Sequence, residues 1–250
     1  MKTTKEQLLL LMQRYEIGKK PLAKLLGWGE TTVMRYLDGV EPNREFARKI
    51  KELAENPWHY AGELEQNRMR LTETAYRKTR RAVYREIFCD RSTEAMQYVV
   101  ALADGDIAPY RVIMVLYYTQ VCSLVLRGIP LFEEEADFSP GQPLVYPRLY
   151  GQMREHGVRL IQPETASFSD EEQECIRQVY QVLNGYSPNA LKALHVREKR
   201  RIRRHLRLEA DRISMELLKG QYESGFKKIG VEKPEELKVY LTEALRRTEN

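Results

Sequence analysis

The sequence predicts an all-α protein, mainly helical, in which a small helical head is joined by a connector to a larger helical domain. Three observations carry that expectation. Apolar residues recur at three- and four-residue spacing through most of the 250 residues. Start and stop signals punctuate those stripes: Pro21, Gly27, Gly39, Gly128, Gly157, and the capping box Ser169-Asp170-Glu171-Glu172. No segment alternates apolar and polar residues convincingly and no internal repeat is found, which leaves room for one short β-ribbon in residues 129–145.

Taken in order, Thr4 to Glu16 reads as a first helix with Leu8, Leu11, Met12 and Tyr15 on one face. A second runs from Lys19 to Leu26, with Pro21 in its first turn and Leu22, Leu25 and Leu26 inward. Gly27-Trp28-Gly29 makes a short turn, because glycine accepts the positive φ that ends a helix. A third helix begins at about Glu30 and stops at Gly39, before Pro42. Two short helices joined by a glycine turn form a helix-turn-helix. Arg44 to Ala54 adds a helix with Phe46, Ile50 and Leu53 inward, and Asn56-Pro57 ends it. Residues 1–58 are therefore read as the head.

Hairpins of this kind are common in all-α proteins, so the exposed chemistry decides. Thr31, Thr32 and Arg35 face solvent on the third helix while Val33 and Leu37 pack inward. Arginine reads guanine with two hydrogen bonds, and threonine serves as donor or through its methyl. Lys19, Lys20 and Lys24 lie on the preceding helix, where phosphate contacts are expected. Trp28 in the turn and Glu30 at the helix start complete the candidate DNA-binding set. The stretch resembles Xre-type regulators of the variety Gly-x-Gly-Glu-x-Thr-x-x-Arg-Tyr-x-x-Gly-x-x-Pro. Gly27, Gly29, Glu30, Thr32, Arg35, Tyr36, Gly39 and Pro42 match it without a break. The resemblance implies operator DNA as a partner and a homodimer, since one small head makes few contacts.

Residues 59–91 read as a polar helical connector with a thin stripe of Met69, Tyr76 and Val83, a solvated helix along one edge of the second domain. The second domain, 92–195, opens with a helix from Ser92 to Ala103, broken by Asp104-Gly105-Asp106. Pro109 to Arg127 is strongly apolar on most sides and is the expected buried centre. A Pro- and Gly-rich loop and a helix from Tyr146 to His156 follow, then the capped helix to Asn184 and another from Ser187 to His195. The basic run Arg197 to Arg207 reads as a solvated connector helix. Leu208 to Leu218 and Pro234 to Leu245 read as helices completing residues 196–250.

Charge separates these regions. Residues 1–58 and 59–91 each carry a net +3, residues 92–194 carry −6, and residues 195–250 carry +5. An acidic middle does not suit phosphates and needs a different partner. Cys89, Cys122 and Cys175 form no pair at metal or redox spacing, and they read as reduced thiols of a cytoplasmic protein. The N-terminal residues lack the apolar core of a signal peptide, and the run Val112 to Leu126 reads as too short and too polar to span a bilayer. His59, His156, His195 and His205 stand at no metal-ligand spacing, and no phosphate loop or nucleophile motif occurs. The expectation is a binding protein, not an enzyme, with no metal and no cofactor.

The acidic middle carries a second resemblance. In order stand Leu116-Tyr117-Tyr118-Thr119-Gln120, Gly128, Pro130-Leu131-Phe132, Ala136, Gly141, Pro143, Val145, Pro147, Tyr150, Gly157 and Ile161, then Gly185-Tyr186-Ser187, Ala190-Leu191 and Leu194-His195. This resembles the Panacea domain, a mainly helical antitoxin module of bacteria and phages. Asp137-Phe138 follow Ala136 where family members usually have Ala-Trp ahead of the turn. The resemblance implies an antitoxin that binds its cognate toxin and represses its own operon through the head. The alternative is a phage or plasmid repressor whose C-terminal half dimerises or senses a signal. A toxin contact is placed on Gly141, Pro143, Tyr146, Pro147 and Tyr150, with Glu133, Glu134 and Glu135 as its rim. The prolines stiffen the loop, and the tyrosines are four apart on one helical face. The same two tyrosines could equally pack inward on the apolar helix.

Overall fold

Helix α1 (Thr4–Arg14) starts at Thr3, whose hydroxyl accepts from the Glu6 N–H while the Glu6 carboxylate accepts from Thr3 N–H at 2.7 Å. It leads into α2 (Lys19–Leu26), α3 (Glu30–Leu37), α4 (Arg44–Glu55), α5 (Pro57–Gln66), a 3₁₀ turn at Arg68–Arg70, and α6 (Glu73–Ile87). The computed structural model describes residues 3–140, 144–158, 167–206 and 212–246. They pack as two units, the first ending at Cys89 and the second beginning at Asp90.

The first unit is larger than the head read from sequence, and the reason is local. Asn56-Pro57 does end α4, but it also starts α5: Asn56 Oδ1 accepts from Trp58 N–H at 3.0 Å, and Pro57 needs no N–H partner at the first helical position. Tyr60 then stacks on Tyr15 of α1, with centroids 3.9 Å apart, and its hydroxyl meets the Thr79 hydroxyl of α6 at 2.8 Å. Arg14 donates to Glu86 of α6 at 2.5 Å and to the Ala54 carbonyl at 2.7 Å. Residues 59–87 thus complete the core of the head. Of the expected stripe, Tyr76 and Val83 are buried, whereas Met69 is 94% exposed because it sits in the 3₁₀ turn outside either helix.

The second unit is built around α8 (Pro109–Cys122), in which every residue from Val112 to Cys122 is buried. The helix continues as a π-helical turn, Ser123–Arg127, and stops at Gly128 with φ 77°. By length and composition Pro109–Arg127 does suffice to cross a membrane, against the expectation, but 72% of its most apolar window is buried inside the protein. Its apolarity is that of a core helix. Against it pack α7 (Arg91–Leu102), α9 (Pro147–His156), α10 (Asp170–Asn184), α11 (Pro188–Leu206) and α12 (Met215–Ile229), and α13 (Leu237–Arg246) joins α10, α11 and α12.

Three further differences have simple causes. The segment from Ser187 through the basic run is a single helix, because Leu191, Leu194, Glu198 and Ile202 continue one buried face through it. The helix expected at Leu208–Leu218 begins only at Met215, capped by the Ser214 hydroxyl, while Leu208 itself lies outside the described residues. Before that cap, β2 (Arg212–Ile213) pairs antiparallel with β1 (Ala136–Asp137), so the ribbon is real but its second strand comes from far along the chain. The fold is all-α, with thirteen α-helices and this one ribbon among the described residues.

The capping box of α10 forms as expected, and its Glu172 does more than cap. Glu172 Oε1 lies 2.9 Å from Arg91 Nη2 and 3.8 Å from Arg127 Nη1, tying α7 and the end of α8 to the start of α10. Burial raises the Glu172 pKa, but the Ser169 N–H and the two guanidiniums outweigh it, leaving the pKa below the ordinary 4.5. A depressed carboxyl pKa gives stability that is present above the ordinary value and lost as pH falls through the folded one. We predict that Glu172→Gln lowers the thermal midpoint at pH 7. The gap from wild type should close as the melts are taken down from pH 5 to pH 3.

Candidate functional site

Helix α2 closes with Gly27 at φ 70°, and the Trp28 N–H returns to the Ala23 carbonyl at 2.9 Å. Gly29 then starts α3. The turn is held by aromatic packing: the Trp28 ring stacks on Phe46 of α4 with centroids 4.3 Å apart and meets Tyr36 of α3 edge-on at 6.1 Å. Val33, Tyr36 and Leu37 bury the inner face of α3. What remains outward is a stripe of Thr31, Met34, Arg35 and Asp38, at the spacing of neighbours on one helical face. Glu30 is exposed beside it, and Thr32 is half-buried at its border.

Lys19, Lys20 and Lys24 are exposed on α2. Lys20 Nζ lies 3.9 Å from Glu30 Oε2, but both side chains are at least half exposed, so this pair is weak and easily exchanged for another anion. Both α2 and α3 begin at a glycine with no side-chain cap, whereas Thr3, Asn43, Asn56 and Thr72 cap the other helices of the unit. No side chain therefore caps the first turns of α2 and α3.

Of the eight expected residues, Lys19, Lys20, Lys24, Glu30, Thr31 and Arg35 are exposed, while Thr32 and Trp28 are half-buried. Trp28 is also part of the packing that fixes α3 against α4. Met34 was not in the expected set although it is 39% exposed at the centre of the stripe. Its spacing of three from Thr31 was the available signal, and its apolar character hid it.

In the second unit, Glu133 and Glu135 are exposed, and Glu134 is half-buried in a polar cluster. Arg148 of α9 donates to Glu134 at 2.5 Å and to the Ser92 hydroxyl at 2.6 Å, and reaches Asp90 at 3.2 Å. Burial raises the Asp90 pKa, but the Ser92 and Thr93 donors and Arg148 together bring it below the ordinary carboxylate value. Arg148 thereby joins the acidic run to α9.

Tyr146 requires a correction. Its side chain is fully buried against Phe132, ring centroids 5.4 Å apart, and burial drives its pKa well above the phenol value. It offers no surface to a partner. Tyr150 is part-exposed on α9, as is Pro147 at the first position of that helix. Gly141 and Pro143 lie outside the described residues.

The basic run is also more structural than its composition implied. Arg197 donates to the Ala244 carbonyl and Arg203 to the Phe138 carbonyl, while Arg201 pairs with the buried Glu198 at 2.8 Å. Between α11, α12 and α13 lies a cavity of about 160 Å³ lined by Arg197, Arg201, Gln221, Lys228, Tyr240 and Glu243 among others. Arg201 Nε and Gln221 Oε1 are buried with no hydrogen-bond partner among the described residues.

The fold and this geometry define a two-unit all-α protein whose first unit carries two short helices, α2 and α3, joined by a glycine turn. No family model, no curated protein and no solved structure matches the chain. The resemblances drawn from the sequence thus rest on the residues quoted for them.

If Trp28 positions the helix pair, Trp28→Ala should destabilise the first unit by about 3 kcal/mol, the usual cost of deleting a packed aromatic, and Trp28→Phe by much less. Urea unfolding followed by circular dichroism measures both. An unchanged midpoint for Trp28→Ala would return the ring to the exposed interface.

Proposed function

We propose that the chain is an antitoxin that acts by binding: its first unit represses the operon from operator DNA, as a homodimer, and its second unit captures the cognate toxin. The observation that carries the DNA half is the outward stripe of α3. Thr31, Met34 and Arg35 stand clear of a helix whose opposite face is fixed by Val33 and Leu37, beside a second helix bearing Lys19, Lys20 and Lys24. This is a groove-reading face flanked by phosphate-directed cations. Toxin capture is supported by the ordered landmarks of residues 116–195 and by a surface in which Arg148, on the helix carrying Tyr150, pairs with Glu134 between the exposed Glu133 and Glu135.

A second reading is favoured by one observation. The cavity has Arg197, Arg201 and Lys228 against Glu198 and Glu243 in its wall, a polar lining with one cation in excess that suits a small polar ligand, as a signal-sensing repressor requires. Co-expression with the neighbouring reading frame separates the two. A neighbour that is toxic alone and harmless with this protein supports the antitoxin. A harmless neighbour supports the repressor.

On DNA, Arg35→Ala should weaken specific binding by about 1–3 kcal/mol, the value of a good bidentate base contact. Lys20→Ala should weaken binding to all sequences alike. Gel shifts with operator and scrambled duplexes read both, and full operator binding by Arg35→Ala would remove Arg35 from the reading face.

On the toxin side, Tyr150→Ala should keep the melting temperature and lose protection of cells from the toxin. A variant that is equally stable and fully protective rules Tyr150 out as a contact. Tyr146→Ala should instead lower the melting temperature by itself.

A further inference from the structure

Beyond the helix pair, one more cation reaches its turn. The 3₁₀ turn Arg68–Arg70 packs against α2, and it is tightly fixed. Arg70 N–H donates to the Asn67 carbonyl at 3.0 Å, Leu71 N–H donates to the Arg68 carbonyl at 3.0 Å, and the Asn67 amide donates to the Glu63 carbonyl at 3.0 Å. The two arginines of the turn have different surroundings. The Arg68 guanidinium lies 4.7 Å over the Tyr76 ring and 3.9 Å from Glu73, so it anchors the turn to α6. Arg70 is exposed, and no carboxylate among the described residues pairs with it.

The place where Arg70 ends is specific. Its Nη1 lies 2.7 Å from the point where a Cβ on Gly27 would stand. The guanidinium therefore rests over the bare backbone of the exposed turn between α2 and α3. Gly27 itself supplies the left-handed φ of 70° that ends α2.

We propose that Arg70 is a phosphate contact of the head, supplied from outside the helix pair and placed over its turn to grip the backbone of duplex DNA. The inference rests on the DNA-binding reading of the first unit. A guanidinium offers five donors in a planar fork that matches a phosphate oxygen pair. The 3₁₀ turn that carries Arg70 is already ordered, so docking gives up little backbone freedom there. The contact fixes register and adds affinity without reading sequence.

The test is the salt dependence of binding by the full-length protein, measured by fluorescence anisotropy on operator and scrambled duplexes. Arg70→Ala should reduce the slope of log K against log salt by about 1.8 for the homodimer, about 0.9 for the one phosphate contact that each protomer loses, on both duplexes. The ratio of operator to scrambled affinity should stay at the wild-type value. Arg70→Lys should keep the slope, because it keeps the charge. Circular dichroism melts of each variant check that the head stays folded. If the wild type binds and Arg70→Ala keeps the full slope, Arg70 is removed and the DNA reading stands. If Arg70→Ala changes the operator ratio, Arg70 contacts bases and the phosphate assignment is wrong. A wild type that binds neither duplex at any salt removes both readings together.

Discussion

A helix buried on all sides cannot be wholly apolar if the chain leaving it must also be buried. Gln120 answers that constraint in the second unit. Its Oε1 accepts from Leu131 N–H at 2.8 Å and its Nε2 donates to the Phe132 carbonyl at 2.7 Å, so one amide substitutes for a missing strand partner. Such bonds are worth about 1 kcal/mol each net, but leaving the buried groups unmet costs more, roughly 1–3 kcal/mol apiece. The clasp holds Leu131 and Phe132 at the core, and a chain of contacts leads on from there. Phe132 receives Tyr146, Tyr146 opens α9, and Arg148 on α9 meets Glu134. The acidic surface and the tyrosine helix are brought together by a glutamine that touches neither.

The first unit depends on aromatic stacking in the same way. Tyr15 on Tyr60 joins α1 to α5, and Trp28 on Phe46 joins the turn to α4. These contacts place α3 with one face locked and the other free. The DNA reading proposed for α3 calls for that combination, since a mobile helix would spend binding energy on its own ordering.

Much of this was legible in the sequence because it is local. The glycine at the end of α2, the capping box of α10, and the inward Leu22, Leu25, Val33 and Leu37 all follow from spacing and from the conformations single residues accept. What the sequence hid depends on partners distant in the chain. Asn56-Pro57 looks the same whether it closes a domain or opens the next helix, and only Tyr60 meeting Tyr15 decides it. Tyr146 and Tyr150 share a helical spacing, yet Phe132 claims one of them and leaves the other part-exposed. The basic run reads as solvated because its carbonyl acceptors, Phe138 and Ala244, are contributed by segments about 50 or more residues away. Arg70 belongs to the same class, since its neighbour Gly27 is invisible to any local pattern.

The seam between the units is short. Ile87 is the last buried residue of the first, and Asp90 already caps the first helix of the second through Thr93 N–H at 2.7 Å. Only Phe88 and Cys89 lie between. A gene that exchanged its head for another would therefore have to splice within two codons, and a graft made at the visible composition break near residue 58 would split a core. Recombination that keeps both cores whole is thus channelled to one narrow junction.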